Sequence, residues 1–106
     1  MARLRGGPYP MSQLPSRLGV VGAGTMGAGI AQLGCLAGLE TLLHDPVPGA
    51  LERGEYSIRM GLAKGAERGR WSDDEAGAAG ARLTLRELLE DLAGCELVIE
   101  AAPERP

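Results

Sequence analysis

The spacing Gly22-Ala23-Gly24-Thr25-Met26-Gly27 offers chemistry that needs no reactive side chain. In a G-x-G-x-x-G turn the first glycine permits a sharp exit from a strand and the second lets the backbone approach a pyrophosphate. The third lets the following helix pack closely on the sheet. Amides left unpaired where that helix starts, together with its dipole, then favour an anion. Asp45, roughly 20 positions on, is the acid that such a turn needs: at a strand end it can accept hydrogen bonds from the adenosine ribose hydroxyls and would repel a 2′-phosphate. Pro46 and Val47 follow it with no arginine between them, which reads as NAD in preference to NADP. A chain holding 17 glycines could carry such a turn by chance. What decides is the context of the motif, a buried strand before it and a helix after it.

The elements that must position these residues can be read on both sides of the turn. Leu18-Gly19-Val20-Val21 is a short apolar run of the kind buried in a parallel sheet. From Thr25, the residues Met26, Ile30, Leu33 and Ala37 recur at helical spacing, and Gly38 is a stop signal. Glu40 to Asp45 reads as a second strand closed by Pro46 and Pro48. Leu51, Gly54, Ile58 and Leu62 give a second helix one apolar face, with Glu52, Arg53, Glu55, Arg59 and Lys64 in water. Ser72-Asp73-Asp74-Glu75 has the form of a capping box, so a third helix is expected to start there. Arg82 to Leu85 is read as a short strand and Glu87 to Leu92 as a short helix with Leu85, Leu88, Leu89 and Leu92 inward. Glu96 to Ile99 is a further buried strand. Strands alternating with helices imply a parallel sheet, hence an α/β fold of the doubly wound, Rossmann dinucleotide-binding type, of which about half is expected within this chain.

Composition is that of an ordinary globular chain, with 44% hydrophobic and 24% charged residues. A net charge of −3 argues against nucleic acid or an anionic membrane as partner. Residues 1–16, rich in proline and glycine, read as a flexible tail ahead of a domain over 17–106, with no secretory signal and no span of membrane length. Cys35 and Cys95 are too isolated to suggest a metal site or a disulfide framework and read as small packing residues in a reduced, cytoplasmic protein. His44 beside Asp45 reads as a packed or hydrogen-bonded side chain. Trp71 reads either as a staple onto the third helix or as a surface contact, and Met26 as packing under its helix as readily as a cofactor contact.

Gly22-Ala23-Gly24-Thr25-Met26-Gly27-Ala28-Gly29-Ile30-Ala31-Gln32 resembles the fingerprint of the 3-hydroxyacyl-CoA dehydrogenase family, and Leu97-Val98-Ile99-Glu100-Ala101-Ala102-Pro103-Glu104-Arg105 resembles its segment at the fourth strand. The resemblance covers about Arg17 to Pro106, including Arg68-Gly69 and the capping box. It implies oxidation of a 3-hydroxyacyl-CoA to the 3-oxoacyl-CoA by hydride transfer to NAD, in fatty-acid metabolism. The residues from Gly22 through Ala23, Gly24, Thr25 and Met26 to Gly27 would hold the dinucleotide phosphates, and Asp45 the adenosine ribose. Ala101, Ala102 and Glu104 would lie toward the nicotinamide. On the second helix Ser57, Lys64 and Arg68 are candidates for the CoA portion, against the plainer reading of a solvated face. The family's His–Glu general base lies downstream of the fourth strand, as does the helical domain through which its members dimerise. No residue here is therefore assigned to catalysis, none to a metal, and the chain by itself is expected to be inactive. Two alternatives are a non-catalytic NAD-binding module and a related β-hydroxyacid dehydrogenase, although His44-Asp45 and the Val98-Ile99-Glu100-Ala101 strand end point away from the latter.

Overall fold

A computed structural model of the chain describes residues 2–4 and 16–101. In chain order the elements are β1 (Ala2–Leu4), β2 (Arg17–Val21), α1 (Thr25–Leu36), β3 (Glu40–His44) and α2 (Ala50–Glu67). There follow α3 (Asp73–Ala81), β4 (Leu83–Arg86), a 3-10 turn (Leu89–Leu92) and β5 (Leu97–Glu100). One sheet has the strand order β1-β5-β2-β3-β4. The strands β5, β2, β3 and β4 are all parallel. This is the expected α/β arrangement, a Rossmann-type sheet with β2, the first of its parallel strands, in the middle.

The sheet is two-sided in a way the alternation of β2 explains. Leu18 and Val20 point toward α1, where Gly34 and Gly27 bring the helix backbone close to them. Gly19 points the other way, toward Leu92 and Cys95. Leu18, Val20, Leu43, Ala31, Cys35, Ile58 and Leu62 form the buried core between the sheet and the helices. Both long helices end on a left-handed glycine: Gly38 donates to Cys35 O and Leu39 to Gly34 O after α1, and Gly69 donates to Ala66 O and Arg70 to Gly65 O after α2. Each pair closes the last helical carbonyls as a Schellman motif, so two helices stop where the sequence places a glycine. The capping box forms as expected, with Glu75 N–H donating to Ser72 Oγ and Ser72 N–H to Glu75 Oε1, both at 3.0 Å.

The structure differs from the sequence expectations in two of its elements. Within the segment read as a tail, Ala2–Leu4 pairs antiparallel with Leu97–Ile99. A three-residue strand is too short to announce itself in the sequence, and it satisfies backbone groups along the β5 edge. The inward helix over 87–92 is one 3-10 turn instead: Leu88 has extended backbone angles, Leu88 and Leu89 are exposed, and Leu92 alone is buried. With no side chain on Gly19, Leu92 and Cys95 fill that side of β2. Trp71, left open by the sequence between a staple and a surface contact, lies across Gly65 of α2 and donates its indole N–H to Leu62 O at 2.8 Å.

Candidate functional site

The parallel strands β2 and β3 run side by side, pairing Val21 with His44, so the residues that leave both strand ends emerge together. Gly22 has a φ of 108°, in the left-handed region that glycine accepts freely, and its N–H donates to His44 O at 2.7 Å. The turn then passes Ala23 and enters α1 at Gly24. A Cβ on Gly27 would lie 1.6 Å from Gly22 O, so the helix packs against the turn in a way that only glycine allows. Above Gly24 there is open space, with nothing within 4 Å of where a Cβ would be. No side chain caps α1 and no acidic residue stands in its first turn. Among the described residues, its dipole and first amides therefore have no side-chain cap and no first-turn acid to compensate them.

Asp45 closes the other side. Its Oδ2 accepts from Ala23 N–H and its Oδ1 from Val47 N–H, each at 2.8 Å. Gly22, Ala23, Gly24, Thr25, Asp45, Val47, Ala50, Arg53 and Ser57 line one cavity of about 420 Å³. The open cradle over Gly24, the uncapped helix start and the carboxylate at the β3 end fit a dinucleotide.

Of the residues singled out from the sequence, the cavity brings together Gly22, Ala23, Gly24, Thr25, Asp45 and Ser57. Gly27 lies behind the turn, where it sets the approach of α1. Met26 is 67% exposed, so it does not pack under its helix. Lys64 is exposed in the last turn of α2 and Arg68 is its C-cap, both outside the lining. At 1.5 Å per residue they stand roughly 10 and 16 Å along the helix from Ser57. Ala101 follows β5 and donates its N–H to Val21 O at 2.8 Å, which ties that strand end to the start of the glycine turn. Ala102 and Glu104 lie outside the described residues. Arg53 is exposed, as the sequence placed it, but sequence reasoning missed that it also lines the cavity that Asp45 lines.

The neighbouring titratable groups have structural tasks. His44 is 5% exposed, and its Nδ1 lies 2.9 Å from Arg86 O, where the N–H donates across to the end of β4. Burial pushes the Cys35 thiol above its ordinary pKa, which leaves it protonated and unreactive at neutral pH. Among the described residues no helix is long and apolar enough to cross a membrane, and no cluster of His, Cys, Asp and Glu could hold a metal ion.

Residues 17–106 match the model of the family described as 3-hydroxyacyl-CoA dehydrogenase, NAD binding domain. A 3-hydroxybutyryl-CoA dehydrogenase from Bradyrhizobium diazoefficiens is 37% identical over 95 residues, 90% of this chain and 32% of the relative. A probable 3-hydroxybutyryl-CoA dehydrogenase from Deinococcus radiodurans is 39% identical over 88 residues, 83% of this chain and 31% of the relative. The chain thus spans about a third of the length of these relatives. Among solved structures, (S)-3-hydroxybutyryl-CoA dehydrogenase from Ralstonia eutropha aligns with a TM-score of 0.81 at 31% identity, over 88% of this chain and 33% of that one. The 3-hydroxybutyryl-CoA dehydrogenase from Escherichia coli K12 aligns with a TM-score of 0.82 at 35% identity, over 88% of this chain and 20% of that one. The family match takes in the glycine turn, the aspartate that closes it and the β5 strand end, and the chain belongs to the 3-hydroxyacyl-CoA dehydrogenase family as its NAD-binding domain.

Proposed function

We propose that the cavity over the glycine turn holds the adenosine and pyrophosphate portion of NAD, and that the domain serves the oxidation of a 3-hydroxyacyl-CoA to the 3-oxoacyl-CoA. The observation that carries the reading is the convergence of three features in one cavity: the open backbone at Gly24, the uncapped start of α1 and the carboxylate of Asp45. In this reading the amides from Gly24 through Thr25 and Met26 receive the pyrophosphate, and the Thr25 side chain stands at the same helix start. Asp45 accepts from the ribose hydroxyls with the lone pairs that Ala23 and Val47 leave open. Bound there, NAD supplies the hydride acceptor.

The strand ends support a direction for that acceptor. Ala101 is held beside Val21, so the β5 strand ends on the side of the turn. This is the direction in which the nicotinamide half would run, since ligands of open parallel sheets lie outside the carboxyl ends of the strands. Ser57 lines the cavity and is our candidate for an acyl-CoA contact. Lys64 and Arg68 would meet CoA only outside this cavity, along the far end of α2.

Calorimetric titration of NAD into the full chain tests the reading. Saturable binding that Asp45→Ala weakens is expected. A chain that keeps its far-ultraviolet dichroism yet takes up no NAD at millimolar concentration would overturn it.

A further inference from the structure

Arg53 has no task in that reading. It lies in the first turn of α2, where the helix dipole favours acids and disfavours a cation, so helix stability does not account for it. Among the described residues its guanidinium has no ion pair and no hydrogen bond. It is folded back over the helix start: Nη1 lies 2.8 Å from where a Cβ on Gly49 would be, and Gly49 has a φ of 81°. The glycine therefore turns the chain into α2 and leaves room for the guanidinium, and Arg53 is one of the residues that line the cavity with Asp45 and Val47.

We infer that Arg53 is a specificity-determining residue at the adenosine ribose, supplying a positive charge that lets the cavity accept a 2′-phosphate and so admit NADP alongside NAD. The inference rests on the dinucleotide reading of the cavity. An aspartate at this strand end selects for the free 2′-hydroxyl by repelling a phosphate, whereas an arginine nearby accommodates one. Here both are present. Asp45 cannot swing away without giving up its bonds to Ala23 and Val47, so its charge stays fixed. Arg53 is exposed, and its long stem lets the planar fork of donors reach a phosphate that Asp45 alone would reject. The cavity would then discriminate between the two dinucleotides less sharply than its aspartate suggests.

The test titrates NAD and NADP into the wild-type chain, Arg53→Ala and Arg53→Lys at low and high ionic strength. Arg53→Ala is expected to raise the Kd for NADP about tenfold while changing that for NAD by less than about twofold, with partial rescue by lysine. The NADP Kd of the wild-type chain should rise more steeply with salt than the NAD Kd. A ratio of the two constants that Arg53→Ala leaves unchanged would overturn the inference, as would a wild-type chain that binds NAD and not NADP. If neither dinucleotide binds the wild-type chain, the reading of the cavity itself falls.

Discussion

The carboxylate of Asp45 accepts a hydrogen bond from the backbone N–H of Ala23 at 2.8 Å, across 22 positions of sequence. The bond ties the end of β3 to the turn that leaves β2, so Asp45 is part of the cavity wall before any ligand reaches it. Its second oxygen holds Val47 N–H, which begins the path into α2. The residue that would select the ribose is thus also the one that ties the two sides of the cavity together.

Asp45→Ala should therefore have two effects. Binding of NAD is expected to weaken by about 1–3 kcal/mol through lost ribose hydrogen bonds. The loop from Asp45 to Gly49 should also lose protection in hydrogen exchange, because the Ala23 and Val47 amides lose their acceptor. Asp45→Asn keeps one acceptor oxygen and should fall between the two. Calorimetry and amide exchange on the three proteins check this; an alanine variant that binds NAD like the wild type sinks the role.

Three glycines of α1 and its entry should respond differently to alanine. At Gly27 the new Cβ would meet Gly22 O at 1.6 Å, so the helix must move off the turn, at a cost of about 1–3 kcal/mol or more. At Gly29 nothing lies within 4 Å and the position is exposed mid-helix, so alanine should stabilise by roughly 0.5–1 kcal/mol. Gly24→Ala meets open space, should change stability by less than about 1 kcal/mol, and should weaken NAD binding by filling the cradle. Thermal unfolding and NAD titration of the three variants separate packing from recognition.

The helix α3 is rich in alanine and glycine and buries only Ala79, so its start depends heavily on the capping box. Ser72→Ala removes the acceptor for Glu75 N–H and should cost about 1 kcal/mol. The loss should appear as fraying of residues 73–77 in amide exchange while the sheet keeps its protection. An even loss across the chain would show that α3 and the sheet unfold as one unit.

What was legible in the sequence follows how local each signal is. The glycine turn, the glycine stop after α1 and the capping box are set by residues within a turn of one another, and each lies where the sequence places it. Leucines 85, 88, 89 and 92 have helical spacing, yet they frame one 3-10 turn, because what buries Leu92 is the missing side chain of Gly19 on a distant strand. Arg53 lines the cavity through the angle at which α2 crosses the glycine turn, where a Cβ on Gly54 would lie 2.8 Å from Ala23. No spacing rule carries that crossing. One further bond at the C-terminal end of α1 is likewise remote, since Arg82 reaches from the entry to β4 to donate to Cys35 O at 2.8 Å.

Glu96 makes a pH-dependent clamp of the same long-range kind. Its Oε1 accepts from Ser16 N–H at 2.8 Å, Ser16 Oγ–H at 2.6 Å and Arg17 N–H at 3.1 Å, which fastens the entry of β2 to that of β5. The hydrogen bonds from Ser16, side chain first and then backbone, hold its carboxyl below the ordinary range. The Ser72 backbone and hydroxyl bonds do the same for Glu75. A carboxyl lowered in the folded state contributes stability that is complete above its unfolded pKa of about 4.3 and is lost as pH falls through the lower folded value. The stability contributed by these two carboxyls should therefore be constant from neutral pH down to about pH 5 and be lost below it. Glu96→Gln keeps one acceptor oxygen but cannot titrate, so it should be less stable than the wild type at neutral pH and show a shallower acid dependence. Unfolding midpoints of both proteins across the acid range check the sign; parallel curves would show that Glu96 titrates alike in the folded and unfolded chains and clamps nothing.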